Sequence, residues 1–483
     1  MGKLSPINHR LKSVFLVLFI VCYGVIFLYA WQQKNEAGVL MNDVGQLVPI
    51  KVKKVVQGKE MEQIRELLQE AKEKNLKVSI AGKQHSQGGH TYYKDAIVID
   101  MTTYNKVIQV LPEEKLATVQ SGATWSDLQE AINPFHLSIK TMQAPNIFTI
   151  GGSMSVNVHG RDIRYGPLID SIRSFRLMNA DGDILNVSRT ENEELFRLVN
   201  GGYGLFGIIL DVDIELTEDV VYKETFTWLD YHDYPQYFKE QVLANPDIEM
   251  HNTRISVTPK QFFTEMYVKN YIRSEEDIED HDELLDEKYI GRNKFAFGLS
   301  RHFDWGKNLV WYVQKKAFQG DKVNFVSRNN QMRPGIKFLE YEGYSDTDLL
   351  QEYFVPVDDF PDFIDRLREL LTENELNILN ATVRYVPKNE ESYLSYAKED
   401  MFAIVFLINQ GLTNKDIEKT GEVVRLIIDL VLEYNGAYYL PYYPYPTKEQ
   451  MREAYPRTDE FFQLKRKYDP EERFMNQFYE EYA

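Results

Sequence analysis

A glycine-rich turn that contains two histidines follows an early apolar strand of this sequence. It reads Ala81-Gly82-Lys83-Gln84-His85-Ser86-Gln87-Gly88-Gly89-His90. Glycines in such a turn let backbone N–H groups approach an anion closely, and the Ser86 hydroxyl adds a donor. The turn therefore fits the pyrophosphate of a dinucleotide, although an ordinary glycine-rich loop with a surface histidine has the same composition.

A second segment of small residues lies about sixty positions further on. It runs from Thr149 to Gly160 and is followed by Arg164-Tyr165-Gly166-Pro167. Small residues at this density allow the main chain to run against a flat ring system, whose edge Asn157 and His159 can reach. We interpret the segment as cofactor-lining, while a lone histidine such as His159 is also commonly a hydrogen-bonded core residue.

The third segment, Gly201–Gly207, contains the spacing GxGxxG. A nicotinamide-type fingerprint follows a strand and opens a helix, whose N-terminus then meets the pyrophosphate. Here the order is reversed, because a helical pattern over Glu193–Val199 comes first and a strand pattern over Ile208–Ile214 comes after. The match therefore does not indicate a Rossmann domain.

The elements that position these segments have mixed α+β patterns. A strand at Leu47–Val56, a helix with apolar positions from Ile64 to Ala71, and a strand at Lys77–Ile80 form a βαβ opening. After Thr217 the segments become longer and richer in aromatic residues, which indicates a second α+β lobe. A chain of 483 residues also exceeds what one core usually supports.

In this order and spacing, the three segments resemble those of the vanillyl-alcohol oxidase family, whose members bind FAD in a PCMH-type domain of non-Rossmann α+β form. The resemblance covers about residues 47–216 and includes the Gly-His-Ser-like turn of cytokinin dehydrogenases and gulonolactone oxidases. It implies FAD as the cofactor. The residues that it implies as FAD contacts are Gly82, Lys83, Gln84, His85, Ser86, Gly151, Gly152, Ser155, Val156, His159, Ile208 and Asn476.

His85 stands where many of these relatives attach FAD covalently through the ring 8α-methyl group. Lys83 and Gln84 occupy positions at which the more familiar pattern has glycine or arginine. The resemblance therefore implies FAD bound at this turn, with a covalent bond to His85 as one of its two known forms.

The C-terminal part is similar to the tail of the aldonolactone oxidases and the decaprenylphosphoryl ribose oxidases, which folds back onto the flavin domain. The similar pieces are Tyr438–Pro441, Ala454–Glu460, Lys465–Pro470 and Arg473–Asn476. Candidate catalytic residues are Tyr442 and Tyr443, near a substrate-binding lysine of those relatives, and Arg384, which could hold an anionic group or polarise a hydroxyl.

The resemblance implies hydride transfer from a CH–OH group of a sugar, alditol or lipid-linked sugar to flavin N5. An amine substrate is disfavoured, because Gln143-Ala144-Pro145-Asn146 lacks the aspartate that cytokinin dehydrogenases carry shortly before their Gly-Gly pair. Oxygen or a quinone is the expected electron acceptor. The alternatives are a membrane-tethered binding protein without redox activity and a nicotinamide-dependent dehydrogenase.

The apolar run from Val14 to Ala30 has no charged residue and is about long enough to cross a hydrocarbon layer of roughly 30 Å. Lys3, Arg10 and Lys12 precede it, so the positive-inside tendency puts the N-terminus in the cytoplasm. We therefore expect a single-pass protein of the cell membrane with its catalytic body on the extracytoplasmic side. The alternative is a cleaved signal peptide, although no small-residue cleavage site follows the run.

The predicted organisation is an α+β protein with a PCMH-type two-subdomain FAD domain and an α+β substrate cap, preceded by one transmembrane helix. The predicted parts are a cytoplasmic N-terminus (1–13), an anchor (14–31), a linker (32–46), the FAD domain (47–217), the cap (218–435) and a C-terminal segment returning to the flavin site (436–483).

Charge and composition exclude several other functions. The net charge of −18 argues against a nucleic-acid partner, because such partners require concentrated lysine and arginine. The single cysteine, Cys22, rules out cysteine-based metal sites, and the nine histidines include no HExxH pair. No metal site is predicted.

Overall fold

The computed structural model describes residues 14–25, 38–318, 323–335, 337, 341 and 343–483. Residues 14–25 form helix α1, and most of its apolar side chains are exposed. Within the described residues, no helix combines the length and apolar character needed to span a bilayer. The predicted anchor and linker lie only partly within this described portion, and the predicted cytoplasmic N-terminus lies outside it.

The first subdomain is a small parallel sheet with a βαβ core. A short antiparallel pair precedes it, so the predicted strand at Leu47–Val56 is divided in two. The parallel order is β3-β5-β4, with α2 packing its buried residues against the sheet. The elements are β1 (Val39–Met41), β2 (Ile50–Val52), β3 (Lys54–Gln57), α2 (Met61–Glu73), β4 (Val78–Ala81) and β5 (Ile97–Asp100).

The second subdomain is an antiparallel sheet of order β10-β9-β11-β7-β6, with β8 paired to β11. The glycine segment at Thr149–Gly160 begins as a short helix, α4, whose N-cap is Thr149. The elements are β6 (Val107–Leu111), β7 (Leu116–Gln120), α3 (Trp125–Ile132), β8 (Leu137–Ile139), α4 (Ile150–Ser155), β9 (Ile172–Met178), β10 (Ile184–Ser188), α5 (Glu193–Val199) and β11 (Ile208–Glu218).

The cap is built on an eight-stranded sheet of order β15-β12-β14-β13-β17-β18-β16-β19. Its elements are β12 (Val221–Leu229), α6 (Tyr234–Tyr237), β13 (Ile248–Ile255), β14 (Met266–Arg273), α7 (Ile290–His302), α8 (Asp304–Phe318), β15 (Asn324–Ser327), α9 (Arg328–Gln331), β16 (Asp346–Pro356), α10 (Phe360–Glu373), β17 (Asn377–Val386), β18 (Met401–Gly411), α11 (Asn414–Glu433) and β19 (Ala437–Tyr438).

The two faces of the cap sheet differ. Helices α10 and α11 bury apolar stripes, including Phe363 and Ile427, against the rest of the cap core. Side chains that alternate with the buried ones, such as Arg254 and Arg384, stay partly exposed on the other face. Because successive side chains of a strand point to opposite faces, the face of the sheet that carries Arg254 and Arg384 is partly accessible.

The C-terminal segment returns to the first subdomain, as the resemblance implied. It contains α12 (Lys448–Ala454), α13 (Thr458–Tyr468) and α14 (Gln477–Tyr482). Val78 N donates to Arg473 O (2.7 Å), and Met475 N donates to Val78 O (2.9 Å). These bonds extend the edge of the parallel sheet at β4.

A buried ion pair holds this return. Lys465 Nζ contacts Asp469, and the side chains of both residues are almost fully buried (0% and 2% exposed). The other carboxylate contacts are backbone N–H groups of Arg473 and Phe474, both at 2.8 Å. Asp469 thus fixes the turn that delivers the chain to β4.

We predict that Lys465→Met lowers the free energy of unfolding by about 3–5 kcal/mol, because removing one partner leaves a buried charge uncompensated. Urea denaturation followed by circular dichroism measures the change. Lys467→Met is the matched control, since Lys467 lies on the same helix and pairs with Glu194 at the surface. Equal loss in both variants would contradict a special role for the buried pair.

Candidate active site

A narrow cleft, open to solvent along part of its length, runs between the two N-terminal subdomains. All three glycine segments contribute to its walls. Its lining includes Ile80, Ala81, Gly82, Ser86, His90, Thr91, Ser121, Thr149, Gly151, Gly152, Ser155, Val156, Tyr203, Gly204, Gly207 and Ile209. The cleft is therefore where the sequence motifs meet in space.

Close backbone contacts explain the small residues of the cleft. A Cβ atom on Gly82 would lie 2.2 Å from Thr149 Oγ1, and one on Gly151 would lie 2.7 Å from Ser121 Cβ. Thr149 Oγ1 in turn accepts a hydrogen bond from Gly152 N (3.3 Å). Side chains at these glycines would displace the cap of α4 and close the space between the two walls.

Three polar side chains of the cleft lack partners among the described residues. They are His90, at both ring nitrogens, Thr91 at Oγ1 and Ser121 at Oγ, and these atoms are buried. Burial lowers the pKa of His90 to about 3, against a smaller opposing effect of the Leu440 backbone, so its ring is neutral at pH 7. Buried polar groups normally have partners, so a long ligand with donors and acceptors along its length fits here.

The structure places the predicted cofactor residues in two groups. Those that line the cleft are Gly82, Ser86, Gly151, Gly152, Ser155 and Val156. The others are Lys83, Gln84, His85, His159, Ile208 and Asn476. Ile208 lies in the core of the first subdomain, and Asn476 Nδ2 supports the wall from behind through Tyr203 O (2.8 Å) and His90 O (3.2 Å).

His85 lies on the turn between the lining residues Gly82 and Ser86. Its ring centroid is 4.7 Å from that of Phe148. Burial, with a smaller effect of the Lys83 charge, lowers the pKa of His85. The imidazole is therefore neutral at pH 7 and keeps a free nitrogen lone pair.

A buried carboxylate lies where the cap meets the FAD domain. Glu352, on β16, has Oε1 2.7 Å from His159 Nε2, and both side chains are nearly fully buried (3% and 4% exposed). Tyr442 donates its hydroxyl to Glu352 Oε2 at 3.2 Å. This group lies beside Val156 in the wall of the cleft, because Tyr439 OH donates to Val156 O (2.9 Å) and the Tyr439 ring contacts both His159 and Tyr442.

The charges around Glu352 decide its protonation. Burial alone raises the pKa of this carboxyl, but His159, Arg384 and the Tyr442 hydroxyl outweigh burial and hold the pKa below its usual range. Burial, and next the neighbouring Glu352, raise the pKa of Tyr442 well above its ordinary value. At neutral pH the pair consists of a carboxylate that accepts and a phenol that donates.

The structure places two of the three predicted catalytic residues beside Glu352 and the third at a different position. Tyr442 and Arg384 both neighbour Glu352. Tyr443 packs its ring against Tyr445 at 4.5 Å, and its charged neighbours are Asp43 and Glu481. Glu352 itself was missed, although a lone carboxylate inside the strand pattern Leu350–Pro356 was a usable signal.

Two family models match the chain. An FAD-binding domain matches residues 52–188, which contain the first two glycine segments. A D-arabinono-1,4-lactone oxidase model matches residues 267–482, which contain most of the cap and the returning segment. The resemblance to PCMH-type FAD-dependent oxidoreductases is thereby confirmed, and FAD is the cofactor that these matches assign.

Particular relatives refine this class. L-gulonolactone oxidase of Mus musculus is 30% identical over 185 residues, which are 38% of this chain and 40% of that protein. Decaprenylphosphoryl-β-D-ribose oxidase of Mycolicibacterium smegmatis is 23% identical over 430 residues, or 84% of this chain and 89% of that protein. The chain spans less than half the length of the gulonolactone oxidases that it matches.

The cleft fits the assigned cofactor. Its glycines leave room for a flat ring system against the main chain, and its unpartnered hydroxyls and imidazole are available to a dinucleotide. Ser86, Thr91, Ser121 and His90 are the side chains that would contact FAD by hydrogen bonds. Tyr439 links the Val156 wall of the cleft to Tyr442 and to the His159–Glu352 pair.

Proposed function

We propose that this protein oxidises a CH–OH group of a sugar, an alditol or a lipid-linked sugar. The observation that carries the proposal is the ionised Glu352, which His159 and Tyr442 hold beside Val156 in the wall of the cofactor cleft. When bound, FAD supplies the hydride acceptor, flavin N5. The chain itself must then remove one proton from the substrate hydroxyl.

Glu352 is the proposed proton acceptor. As the C–H hydride leaves the carbon, the O–H proton passes to the Glu352 carboxylate and the carbonyl double bond forms. Tyr442 stays protonated and positions the Glu352 carboxylate by donating its hydroxyl to Oε2. His159 positions Glu352 and keeps its pKa low, while Arg384 adds positive charge beside the reacting oxygen.

The names of the relatives support a sugar or a lipid-linked sugar as the substrate, and they do not specify the electron acceptor. Their names specify a sugar lactone and a lipid-linked ribose as substrates. Gln143, near the position of the cytokinin dehydrogenase aspartate, bonds to Ser153 (2.8 Å) and Trp125 (3.1 Å) and offers no base for an amine. Oxygen or a quinone is the proposed acceptor that reoxidises FAD.

We also propose that the protein is anchored in the cell membrane by its N-terminal segment, with the body on the extracytoplasmic side. Two features support a membrane location. The apolar side chains of α1 are exposed, and so are Phe295, Phe303, Trp305 and Tyr312 of the α7–α8 hairpin. The hairpin also exposes the basic residues Arg292, Lys294 and Lys316, in a chain of net charge −18. Aromatic and basic residues together favour a lipid–water interface.

The covalent form of the cofactor is tested by acid precipitation of the purified protein. We predict a flavin spectrum whose colour stays with the pellet, because a neutral, partly buried His85 provides a nucleophilic nitrogen at the pyrophosphate turn. His85→Ala should release the colour to the supernatant. Colour released from the unmodified protein would leave FAD bound but remove the covalent bond.

The proton acceptor is tested by Glu352→Gln, which keeps the shape and removes the base. We predict a loss of kcat of about 10²- to 10⁴-fold with the flavin spectrum retained. Glu369→Gln, on the exposed face of α10, is the control and should leave the rate unchanged. A variant at Glu352 with an unchanged rate would remove it from the mechanism.

The pH profile separates the positioning role of His159 from a merely structural one. Because the pKa of Glu352 is lowered, kcat/KM should persist below 4.5, the ordinary glutamate value, and fall only at more acid pH. His159→Asn removes the largest lowering influence, so the acid limb of the profile should move to higher pH.

Membrane association is tested by sedimentation with vesicles that contain anionic lipid. We predict that the full chain binds the vesicles. A shortened protein that starts at residue 38 should also bind them, and the double variant Phe295→Ser and Trp305→Ser of that shortened protein should bind more weakly. Leu426→Ser, at an exposed leucine on α11, is the control. Equal binding by the hairpin variant and the control would restrict the contact to the N-terminal segment.

A further inference from the structure

Three arginines at or beside the partly accessible face of the cap sheet lack partners among the described residues. Among residues 38–318, 323–335 and 343–483, Arg161, Arg254 and Arg384 form no ion pair and no side-chain hydrogen bond, whereas most other arginines there pair with a carboxylate. The Nε atoms of Arg161 and Arg384 are buried without a partner. Burying such groups costs free energy unless a ligand supplies the missing hydrogen-bond partners.

The strand register brings these arginines together. Arg254 on β13 lies opposite Thr382 on β17, so Arg384 is its diagonal neighbour on the same face, at a typical separation of about 7–8 Å. The segment with Arg161 runs beside β13, since His251 N donates to Arg161 O (3.0 Å) and Asp162 pairs with Met250. The charges of Arg384 and Arg254 both act on Arg161, so the three guanidinium groups lie near one another beside this face of the cap sheet.

Their environment is strongly cationic. Burial is the largest influence on Arg161, and with the charges of Arg384 and Arg254 it outweighs the opposing effect of Tyr271 and lowers the pKa to about 10. Arg161 is still charged at pH 7. The nearby Lys269 is already neutralised by Glu224 at 2.5 Å, so that carboxylate is occupied. Like charges this close repel, which a bound anion reverses.

The arginine surface continues directly from the proposed proton acceptor. Glu352 on β16 lies opposite Val405 on β18, and Val405 lies opposite Thr382 on β17, so Glu352 shares one face of the sheet with Arg384 and Arg254. The charge of Arg384 acts on both Glu352 and Arg161. A molecule with its alcohol at Glu352 would extend its remaining atoms over Arg384 toward Arg161 and Arg254. Guanidinium forks match the planar carboxylate and the phosphate group.

We propose that Arg161, Arg254 and Arg384 form an anion subsite that holds a carboxylate or a phosphate of the substrate while its alcohol faces Glu352. The inference rests on the proposed function and narrows its substrate class to anionic sugars. The two sources of the anion are a sugar acid and a sugar phosphate, which share the same recognition chemistry.

Isothermal titration calorimetry of the purified holoprotein tests the subsite, with inorganic phosphate and D-gluconate as separate probes at constant ionic strength in chloride. We expect saturable binding of at least one probe. Arg254→Gln and Arg161→Gln should each weaken it at least tenfold, and Arg254→Lys should weaken it less. Arg366→Gln, on α10 at the opposite face of the cap, is the control and should bind as the unmodified protein does.

The outcomes distinguish a sugar acid from a sugar phosphate as the source of the anion. They also distinguish failure of the anion subsite from failure of the proposed function. Tighter phosphate binding indicates a sugar phosphate, and tighter gluconate binding indicates a sugar acid. Binding that is absent, or unchanged in Arg254→Gln, overturns the subsite. Arg254 is only half-buried, so its variant keeps the test decisive if Arg161→Gln fails to fold. A flavin spectrum with no anion binding rejects the subsite alone, whereas anion binding by a colourless protein that FAD cannot reconstitute rejects the proposed function alone.

Discussion

The contact between His159 and Glu352 joins the two halves of this protein. One partner comes from the glycine-rich segment of the FAD domain and the other from β16, the strand next to the β19 edge of the cap sheet. Removing two such groups from water is unfavourable unless they meet with good geometry. The geometry of this contact fixes the position of the cap sheet relative to the cofactor cleft. It therefore also fixes where Tyr442 and Arg384 lie relative to Val156.

The cofactor cleft depends on a second constraint, which is the close approach of its walls. Gly82 and Thr149 come from different subdomains and leave no space for a side chain between them. The C-terminal segment closes the arrangement, because Asn476 holds the carbonyls of His90 and Tyr203 and Phe478 packs on both rings. Residues nearly four hundred positions apart thus form one wall, so loss of the returning segment would open the site.

Sequence reasoning identified much of the cofactor cleft and little of the catalytic cluster. Glycine turns leave local signals, since few other residues permit such close backbone contact, and Gly82, Gly151 and Gly152 line the cleft. Tyr442 and Tyr443 were indistinguishable as neighbours in a chain of 31 tyrosines, yet only Tyr442 reaches Glu352. The path of the backbone after β19 directs the two side chains to different surroundings, and no local sequence pattern specifies that path.

The sequence by itself determined the α+β character, the glycine-rich turns, the rejection of a Rossmann domain and the family resemblance, because each depends on the type and order of nearby residues. Only the tertiary structure decided that Glu352 pairs with His159, that Lys465 and Asp469 hold the returning segment, and that three neighbouring arginines form no ion pair with a described carboxylate. Those features arise from strand register and from which buried charges find partners. Register and burial are properties of the packed chain, and residues distant in sequence acquire them together.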